Sequence, residues 1–291
     1  MVSAVEFSPG GLPPAVERGA IRAVMSDLDG TLLDPTSWVS ERTRAALEAL
    51  HAAGVPFCIA SGRDLVSIGR LMAQWGITEL VDFVSGMNGS EFQDLRTGRV
   101  RRGHFVEAGL FREVMAFFAD LPVAFSIVED GVFLTPEVTG LMDEMVAWAR
   151  VTVREEPDFG RLLDVPQAKL HIFCDPARMD LLVERTARWE DPRVVGVRTG
   201  PNLIEFMAPG VDKTLGLDRL AEALGLGTGA VMAFGDAEND TGMVERAGVG
   251  VAMGNGCADT RRVADWIAPS YADDGIARFT SSWFDLDRET G

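Results

Sequence analysis

Short apolar runs alternate with amphipathic stretches over the first part of the chain. The runs at 21–25, 56–60 and 82–85 each have the length of a buried strand, and polar or turn residues follow them directly. Between the first two runs, Ser40 can cap a helix that extends to about residue 53. A strand–helix–strand–helix–strand order at this spacing is typical of a parallel α/β sheet.

The same order of elements returns towards the C-terminus. An apolar run at 230–234 leads to Asp236, much as the first run leads to Asp27. The pattern predicts helices at 213–224, 238–246 and 258–264, strands at 230–234 and 249–252, and a short edge strand at 266–268.

The middle of the chain, 88–207, has a different character. Turns at 96–98 and 129–131 connect candidate strands directly, which favours an antiparallel sheet with helices on one side. A segment of this length cannot be a loop inside one compact domain. The predicted strands here are 91–95, 99–104, 123–128, 132–134, 169–174, 194–199 and 202–207, and the predicted helices are 107–119, 138–149 and 176–188.

These patterns together predict an α/β protein with two domains. Its core is a Rossmann-like, doubly wound parallel sheet built from 20–87 and 208–291, and 88–207 is an inserted α+β domain. The first 19 residues, which are rich in proline and glycine, are expected to form a flexible leader.

Composition narrows the class of partner. The net charge of −17 disfavours a nucleic-acid binder, because phosphate backbones attract basic surfaces. No apolar run approaches the roughly 18 residues of a membrane span. The three cysteines, Cys58, Cys174 and Cys257, form no C-x-x-C pair, which argues against a disulfide framework or a structural zinc site and favours a reducing, cytoplasmic location. The sequence makes no prediction of oligomeric state.

Four segments carry groups that suit phosphoryl transfer. Three of them directly follow predicted strands, and ligands of an open parallel sheet bind at the carboxyl ends of its strands. The segments should therefore meet in one crevice. They are Asp27-Leu28-Asp29-Gly30-Thr31, Ser61-Gly62-Arg63, Lys213, and Gly235-Asp236-Ala237-Glu238-Asn239-Asp240.

The first segment offers two carboxylates two residues apart. Asp27 can attack phosphorus as a nucleophile, and Asp29 can donate a proton to the leaving oxygen and later activate water. Asp236 and Asp240 supply further carboxylate oxygens, and hard oxygen donors favour Mg²⁺ over zinc or copper.

The remaining groups can hold the phosphate. Ser61 and the Gly62 amide can bind a phosphate oxygen where the next helix begins, and Lys213, one of two lysines in the chain, can neutralise the transferred group. Arg63 can reach into the crevice towards substrate or pair with a surface acid. Asn88, near the start of the insert, is a second candidate substrate contact.

These residues resemble the four ordered motifs of the haloacid dehalogenase superfamily. The motif residues are Asp27-x-Asp29-x-Thr31, Ser61, Lys213 and Gly235-Asp236-x-x-Asn239-Asp240, and the stretches 231–240 and 247–255, together with Met87-Asn88-Gly89 and Asp274-Gly275-Ile276, are similar to its Cof-type branch.

The resemblance implies a Mg²⁺-dependent phosphatase that hydrolyses small organic phosphate monoesters, such as sugar phosphates or phosphorylated cofactors, with the insert as a substrate-specificity cap. It implies Asp27 as the nucleophile and Asp29 as the general acid and base. It assigns Asp27, Asp29 (through its backbone carbonyl) and Asp236 to the metal, Ser61, Gly62 and Lys213 to phosphate, and Thr31, Asn239 and Asp240 to the support of the site.

Two other functions stay open at this point. A phosphomutase or phosphotransferase would use the same phospho-aspartate with a sugar hydroxyl as acceptor. A catalytically silent module would bind a phosphorylated ligand without turnover, although no catalytic carboxylate or lysine of the motifs is missing.

Overall fold

A computed structural model describes residues 4–8, 11–12, 15–143, 146–147 and 151–286. The chain divides into two compact units. The first, called the core unit, contains the residues up to Arg101 and those from Asp212 onward, and the second, the insert, spans Arg102–Val211. Among the residues described, no helix combines the length and the apolar composition needed to cross a bilayer.

The strands and helices of the described residues are numbered in chain order. The strands are β1 (Val5–Glu6), β2 (Ala23–Asp27), β3 (Phe57–Ala60), β4 (Phe83–Gly86), β5 (Glu91–Asp94), β6 (Arg99–Arg102), β7 (Ala124–Glu129), β8 (Val132–Thr135), β9 (Thr152–Glu155), β10 (Lys169–Phe173), β11 (Val195–Arg198), β12 (Leu203–Met207), β13 (Val231–Gly235), β14 (Val249–Ala252) and β15 (Trp266–Ile267). The helices are α1 (Ala15–Arg18), α2 (Glu41–Ala52), α3 (Leu65–Trp75), α4 (Leu110–Phe117), α5 (Phe159–Leu162), α6 (Met179–Thr186), α7 (Lys213–Leu224), α8 (Thr241–Arg246), α9 (Ala258–Val263) and α10 (Gly275–Trp283).

The core unit is built on one mainly parallel sheet. Its described strands lie in the order β1-β15-β14-β13-β2-β3-β4-β5-β6. In this order, every neighbouring pair from β1 through β15, β14, β13, β2 and β3 to β4 is parallel. Strand β5 runs antiparallel to β4. The central strand β2 therefore lies between β13 and β3, which puts the ends of three strands side by side.

Alternating residues of β2 divide between the two faces of this sheet. Val24 packs in a cluster with residues of α2, α3 and α10, such as Leu50 and Phe279. Met25 packs on the other side with residues of α7 and α8, such as Leu217. Helices thus cover both faces, which confirms the predicted doubly wound α/β architecture.

The insert has its own α+β fold. Its six described strands lie in the order β11-β12-β10-β7-β8-β9, with antiparallel pairs except for β8 and β9. Leu170 and Ile172 of β10 pack with Phe111 of α4 and Leu182 of α6. An antiparallel sheet with helices on one face was the predicted arrangement.

The division between the units differs from the predicted limits at 88 and 207. Strands β5 and β6 were expected in the insert, but they extend the core sheet beyond β4. The physical reason is the partner of β5: Phe83 of β4 pairs with Asp94, and Phe92 stacks on Phe83 with ring centroids 5.7 Å apart. A change from parallel to antiparallel pairing occurs within the core sheet, so it does not mark the domain boundary.

The expectation of a flexible leader is wrong for the described residues of 1–19. Strand β1 pairs in parallel with β15, so the strand predicted at 266–268 is not an edge strand. Arg18 forms an ion pair with Asp285 at 3.0 Å. Residues 1–3, 9–10 and 13–14 of the leader lie outside the described residues, as do 144–145 and 148–149 of the helix predicted at 138–149. The described residues of that range include a short 3₁₀ turn at Gly140–Met142 and helical residues at 143 and 146–147.

A buried ionic network lies on the insert sheet. The Lys169 Nζ atom is 3.0 Å from Glu205 Oε2, and His171 Nε2 is 3.3 Å from Glu205 Oε1. Burial alone would raise the pKa of Glu205, but Lys169 and His171 outweigh it and hold the pKa at about 2. The carboxylate is thus stabilised in its charged form by partners on the neighbouring strand.

Replacing Lys169 by methionine should destabilise the insert. The substitution Lys169→Met leaves the Glu205 carboxylate buried without its ammonium partner, which costs about 3–5 kcal/mol of unfolding free energy. The double variant Lys169→Met/Glu205→Leu should recover much of that loss, because it removes the uncompensated charge. Urea denaturation at neutral pH measures the unfolding free energy of both variants. Equal losses of unfolding free energy in the single and double variants would contradict the stabilisation of the Glu205 carboxylate by Lys169.

Candidate active site

Three strand ends of the core sheet bring the predicted residues together. Asp27 ends β2, and Ala60 of β3 lies directly opposite it, so Ser61 follows one residue beyond. On the other side Phe234 of β13 pairs with Ser26, which puts Asp236 just past the same edge. The convergence predicted from the sequence therefore holds for these segments, and it follows from parallel pairing of β13, β2 and β3.

The loop after β2 packs closely against Asp236. Gly30 has φ +88°, and a Cβ atom there would lie 2.5 Å from Asp236 Oδ2, so both the backbone and the space require glycine. The Thr31 hydroxyl donates to Asp236 Oδ1 at 2.8 Å. Thr31, which was predicted to support the site, orients one carboxylate oxygen of Asp236.

Lys213 begins helix α7 and reaches the centre of the cluster. Asp212 caps this helix by accepting from the Thr214 amide at 2.8 Å. The Lys213 Nζ atom donates to Asp27 Oδ1 and to Asp240 Oδ1, both at 2.5 Å, and its side chain is buried. A buried ammonium shared by two carboxylates fixes the orientation of the Asp27 side chain.

Asp240 is more central than its predicted supporting role implies. Its Oδ2 atom accepts from the backbone N–H groups of Asp236 and Ala237, each at 2.9 Å, while Oδ1 binds Lys213. A Cβ atom at Gly235 would lie 2.3 Å from Asp240 Cβ, so only glycine leaves room for this side chain. The fully buried Asp240 carboxylate thus shapes the loop that presents Asp236.

The electrostatics of the site follow from burial and crowding of like charges. Burial raises the pKa of Asp27 well above its usual range; Lys213 opposes the rise, and Asp240 and Asp236 add to it. Burial and the neighbouring Asp240 also raise the pKa of Asp236 to about 6, against the Thr31 hydrogen bond. Burial alone would lower the pKa of Lys213, but Asp240 and Asp27 outweigh it and raise that pKa.

The carboxylates fit a divalent cation. Asp27, Asp236 and Asp240 each offer an oxygen, and these atoms lie within 4.8 Å of one another. Hard oxygen donors at this spacing suit Mg²⁺, and a cation there would relieve the repulsion that, after burial, adds to the rise of both pKa values. The Asp29 carboxylate is not in this group; its predicted contribution was the backbone carbonyl, which stays a prediction.

Arg63 holds the Asp29 side chain. Its Nε atom donates to Asp29 Oδ2 at 3.1 Å and its Nη2 atom to Oδ1 at 3.0 Å, a two-pronged ion pair between half-buried groups. The sequence left two roles open for Arg63, a contact with substrate or an ion pair with a surface acid. In the structure Arg63 pairs with an acid, Asp29, inside the site. This pair fixes the rotamer of the predicted general acid.

The other predicted residues occupy loops around the cluster. Ser61 is buried, and its hydroxyl accepts from the Arg63 amide at 3.2 Å. Gly62 lies between them in the turn before α3. Asn88 is buried in the turn after β4, and Asn239 is half-buried in the turn Glu238–Asp240. Binding of substrate or phosphate by these residues stays a prediction.

One residue of the site, Asn255, was not identified as a site residue from the sequence. The Asn255 side-chain amide donates to the Gly30 carbonyl at 2.8 Å and accepts from the Tyr271 amide at 3.0 Å. It ties the loop that carries Asp29 and Thr31 to the C-terminal part of the core unit. The only signal in the sequence was its place in the stretch 247–255, which resembles the Cof-type branch.

The raised pKa of Asp236 makes the stability of the metal-free protein depend on pH. Between its ordinary value of 3.8 and its folded value of about 6, the folded protein holds a proton that the unfolded chain has released. The free energy of unfolding should therefore fall as the pH rises from about 4 to about 6, and the loss is fully present above that range. Asp27, whose pKa is also raised, acts in the same direction.

Mg²⁺ should reverse this loss, because binding requires the charged carboxylates. Melting temperatures with a chelator and with excess Mg²⁺, at about pH 5 and about pH 7.5, test the effect. We expect a larger Mg²⁺-induced rise at the higher pH and a much smaller rise in Asp236→Asn. An equal rise at both pH values would contradict a carboxylate metal site.

Known proteins match most of the chain. A family model for haloacid dehalogenase-like hydrolases matches residues 24–279. The 5-amino-6-(5-phospho-D-ribitylamino)uracil phosphatase YitU of Bacillus subtilis is 28% identical over 276 residues, which cover 89% of this chain and 96% of that protein. The HMP-PP phosphatase of Cronobacter sakazakii is 28% identical over 234 residues, or 79% and 82% of the two chains.

A solved structure shows the same fold. A haloacid dehalogenase-like hydrolase from Bacteroides thetaiotaomicron superimposes with a TM-score of 0.81 at 24% identity, covering 90% of this chain and 98% of that one. The family match spans both parts of the core unit and the whole insert. The resemblance that the motif residues carried is thereby confirmed: the chain belongs to the haloacid dehalogenase-like hydrolases and is a phosphatase.

Proposed function

We propose that this phosphatase hydrolyses small organic phosphate monoesters with Mg²⁺ as cofactor and Asp27 as the nucleophile. The observation that carries the proposal is the arrangement around Asp27. A buried lysine binds one of its carboxylate oxygens, and two further aspartates offer oxygens within 4.8 Å. Mg²⁺, when bound, would reduce the repulsion between these carboxylates and an anionic ester.

The side chains of the core unit account for two chemical steps. In the first, an Asp27 carboxylate oxygen attacks phosphorus, the bond from phosphorus to the ester oxygen breaks, and Asp29 gives that oxygen a proton. In the second, Asp29 takes a proton from water, the water oxygen attacks phosphorus, and the bond to Asp27 breaks to release inorganic phosphate. Arg63 orients the Asp29 carboxylate whenever that group is ionised.

Three groups would bind the transferred phosphoryl group. Lys213 places its ammonium against Asp27, where negative charge builds up on the phosphoryl oxygens during transfer. Ser61 and the Gly62 amide lie in the turn between β3 and α3, where a hydroxyl and a backbone N–H can donate hydrogen bonds to phosphate oxygens. Asn239 would support the site from the turn that also carries Asp240.

The substrate class rests on the family and its relatives. The names of two relatives identify phosphorylated metabolites as their substrates: a phosphoribityl-substituted uracil for one and HMP-PP for the other. A small phosphorylated metabolite, such as a sugar phosphate or a phosphorylated cofactor, is therefore the substrate we propose for this protein, with the insert as the specificity-determining domain and Asn88 as a substrate contact. The cytoplasmic location inferred from the cysteines stays a prediction.

A panel of small phosphate esters tests the proposal. The purified protein with Mg²⁺ is assayed for release of inorganic phosphate, and kcat/KM is compared across the panel, which includes phosphosugars, phosphosugar alcohols and phosphorylated cofactors. Mg²⁺-dependent release is the expected result. Isomerised or transferred phosphate without free phosphate would indicate a mutase or transferase, and tight binding without turnover would indicate a silent module; either would overturn the proposal.

A further inference from the structure

The turn after β4 contains three consecutive residues in the left-handed backbone region. Met87, Asn88 and Gly89 have φ values of 49°, 52° and 96°. Methionine rarely adopts this conformation, and such backbone persists only where surrounding contacts hold it, often beside a functional site. The contacts of this turn therefore indicate what it is for.

On one side, the turn is bonded to the loop that carries Ser61. The Met87 amide donates to the Arg63 carbonyl at 2.8 Å, and the Asn88 amide donates to the Ser61 carbonyl at 3.0 Å. A Cβ atom at Gly86 would lie 2.9 Å from the same Arg63 carbonyl oxygen. Two backbone hydrogen bonds and this close approach therefore hold the Ser61 loop against the turn.

On the other side, the turn packs against the first turns of helix α7, which begins at Lys213. A Cβ atom at Gly89 would lie 2.9 Å from the Gly216 amide nitrogen, 2.9 Å from Leu215 Cβ and 3.0 Å from the Asp212 carbonyl oxygen. The left-handed conformation lets glycine turn the chain here and allows backbone to approach backbone. No atom can be added at this point without moving the helix or the turn.

We propose that the turn Met87–Gly89 is a positioning element that sets the distance between Ser61 and Lys213. The inference rests on the proposed function, in which these two residues bind the same phosphate. Binding by two separated groups requires both to be placed to within a fraction of an ångström, and a displacement of about 1 Å can cost about a hundredfold in rate. The turn contacts both segments, so it fixes their spacing independently of the substrate contact proposed for Asn88.

The substitution Gly89→Ala tests the proposal against a matched control, Gly98→Ala. Gly98 has φ +73° in the turn between β5 and β6, and no atom lies within 4 Å of a Cβ added there. Both variants therefore carry the backbone penalty of alanine at positive φ, but only Gly89→Ala presses on helix α7. The readouts are the inhibition constant of inorganic phosphate, KM, kcat and the melting temperature.

We expect Gly89→Ala to raise the phosphate inhibition constant about tenfold or more and to lower kcat/KM by a factor between about ten and a hundred. Gly98→Ala should share the fall in melting temperature and keep the phosphate constant of the unmodified protein. Equal phosphate constants in the two variants would overturn the inference and leave the proposed function standing. Absence of phosphate inhibition and turnover in the unmodified protein would instead refute the proposed function itself.

A second variant covers the case in which Gly89→Ala does not fold. Gly86→Ala adds its Cβ against the Arg63 carbonyl from ordinary backbone with φ −100°, so it displaces the Ser61 loop without a penalty in φ. The same rise in the phosphate inhibition constant is expected. A folded Gly86→Ala protein with unchanged phosphate affinity would overturn the inference.

Discussion

The substitution Asp27→Asn should abolish phosphate release, with kcat/KM falling by about 10⁴-fold or more. The amide has nearly the shape of the carboxylate but carries no charge, so it is a very poor nucleophile towards phosphorus. The Asp27 side chain is buried at the end of the central strand β2. Release of inorganic phosphate from the best substrate of the panel measures the effect.

A matched control separates chemistry from folding. Asp218→Asn makes the same change at an exposed carboxylate of the core unit, whose partner is Arg246 at 2.6 Å. This control should retain full activity, and the melting temperature of Asp27→Asn should show that the variant is folded. Activity within tenfold of the unmodified protein in a folded Asp27→Asn variant would exclude the phospho-aspartate route.

The second large effect is expected for Lys213→Met, which keeps the length of the side chain and removes its charge. Loss of the ammonium should lower kcat/KM by at least about 10²–10³-fold, because it removes a charge aimed at the transferring group. It also leaves Asp27 and Asp240 buried without their shared cation, which costs about 3–5 kcal/mol of unfolding free energy in metal-free protein.

Mg²⁺ distinguishes this variant from a general loss of stability. The unpaired carboxylates of Lys213→Met should bind Mg²⁺ with a larger rise in melting temperature than in the unmodified protein. Lys169→Met, the same change at the other lysine of the chain, should lower stability but leave the Mg²⁺ response unchanged, because Lys169 pairs with Glu205 in the insert. Identical Mg²⁺ responses of the two variants would argue against Lys213 as part of the metal-proximal cluster.

Local patterns predicted most strands and helices because their signals lie within a few residues. The Ser40 hydroxyl accepts from the Thr43 amide as a helix cap should, and helix α7 has the predicted bounds 213–224. The neighbour of a strand in the sheet, by contrast, could not be predicted from local patterns. Nothing local distinguishes β5 as an extension of the core sheet, and strand β1 is too short to show a period. Such pairings depend on long-range packing, which a single sequence does not display.

The candidate site was predictable to the extent that it follows from the shared edge at which parallel strands end. Segments at the carboxyl ends of parallel strands lie at one edge of the sheet, and this rule alone, without the strand order, predicted that Asp27 and Asp236 would converge. Side-chain pairing could not be predicted in the same way. The two-pronged contact of Arg63 with Asp29 and the double role of Asp240 depend on rotamers and on the room left by Gly235.

The joint ion pair of Lys213 with Asp27 and Asp240 also sets the charge that a cation at the proposed metal site would have to balance. Three clustered carboxylates and one ammonium leave two formal negative charges, and the neighbouring Asp29 and Arg63 cancel one another. A divalent cation would make the cluster neutral, whereas sodium or potassium would leave it anionic and unfavourable to a phosphate dianion. In a protein of net charge −17, the proposed dependence on a doubly charged ion would thus follow from electroneutrality at this cluster as well as from ligand geometry.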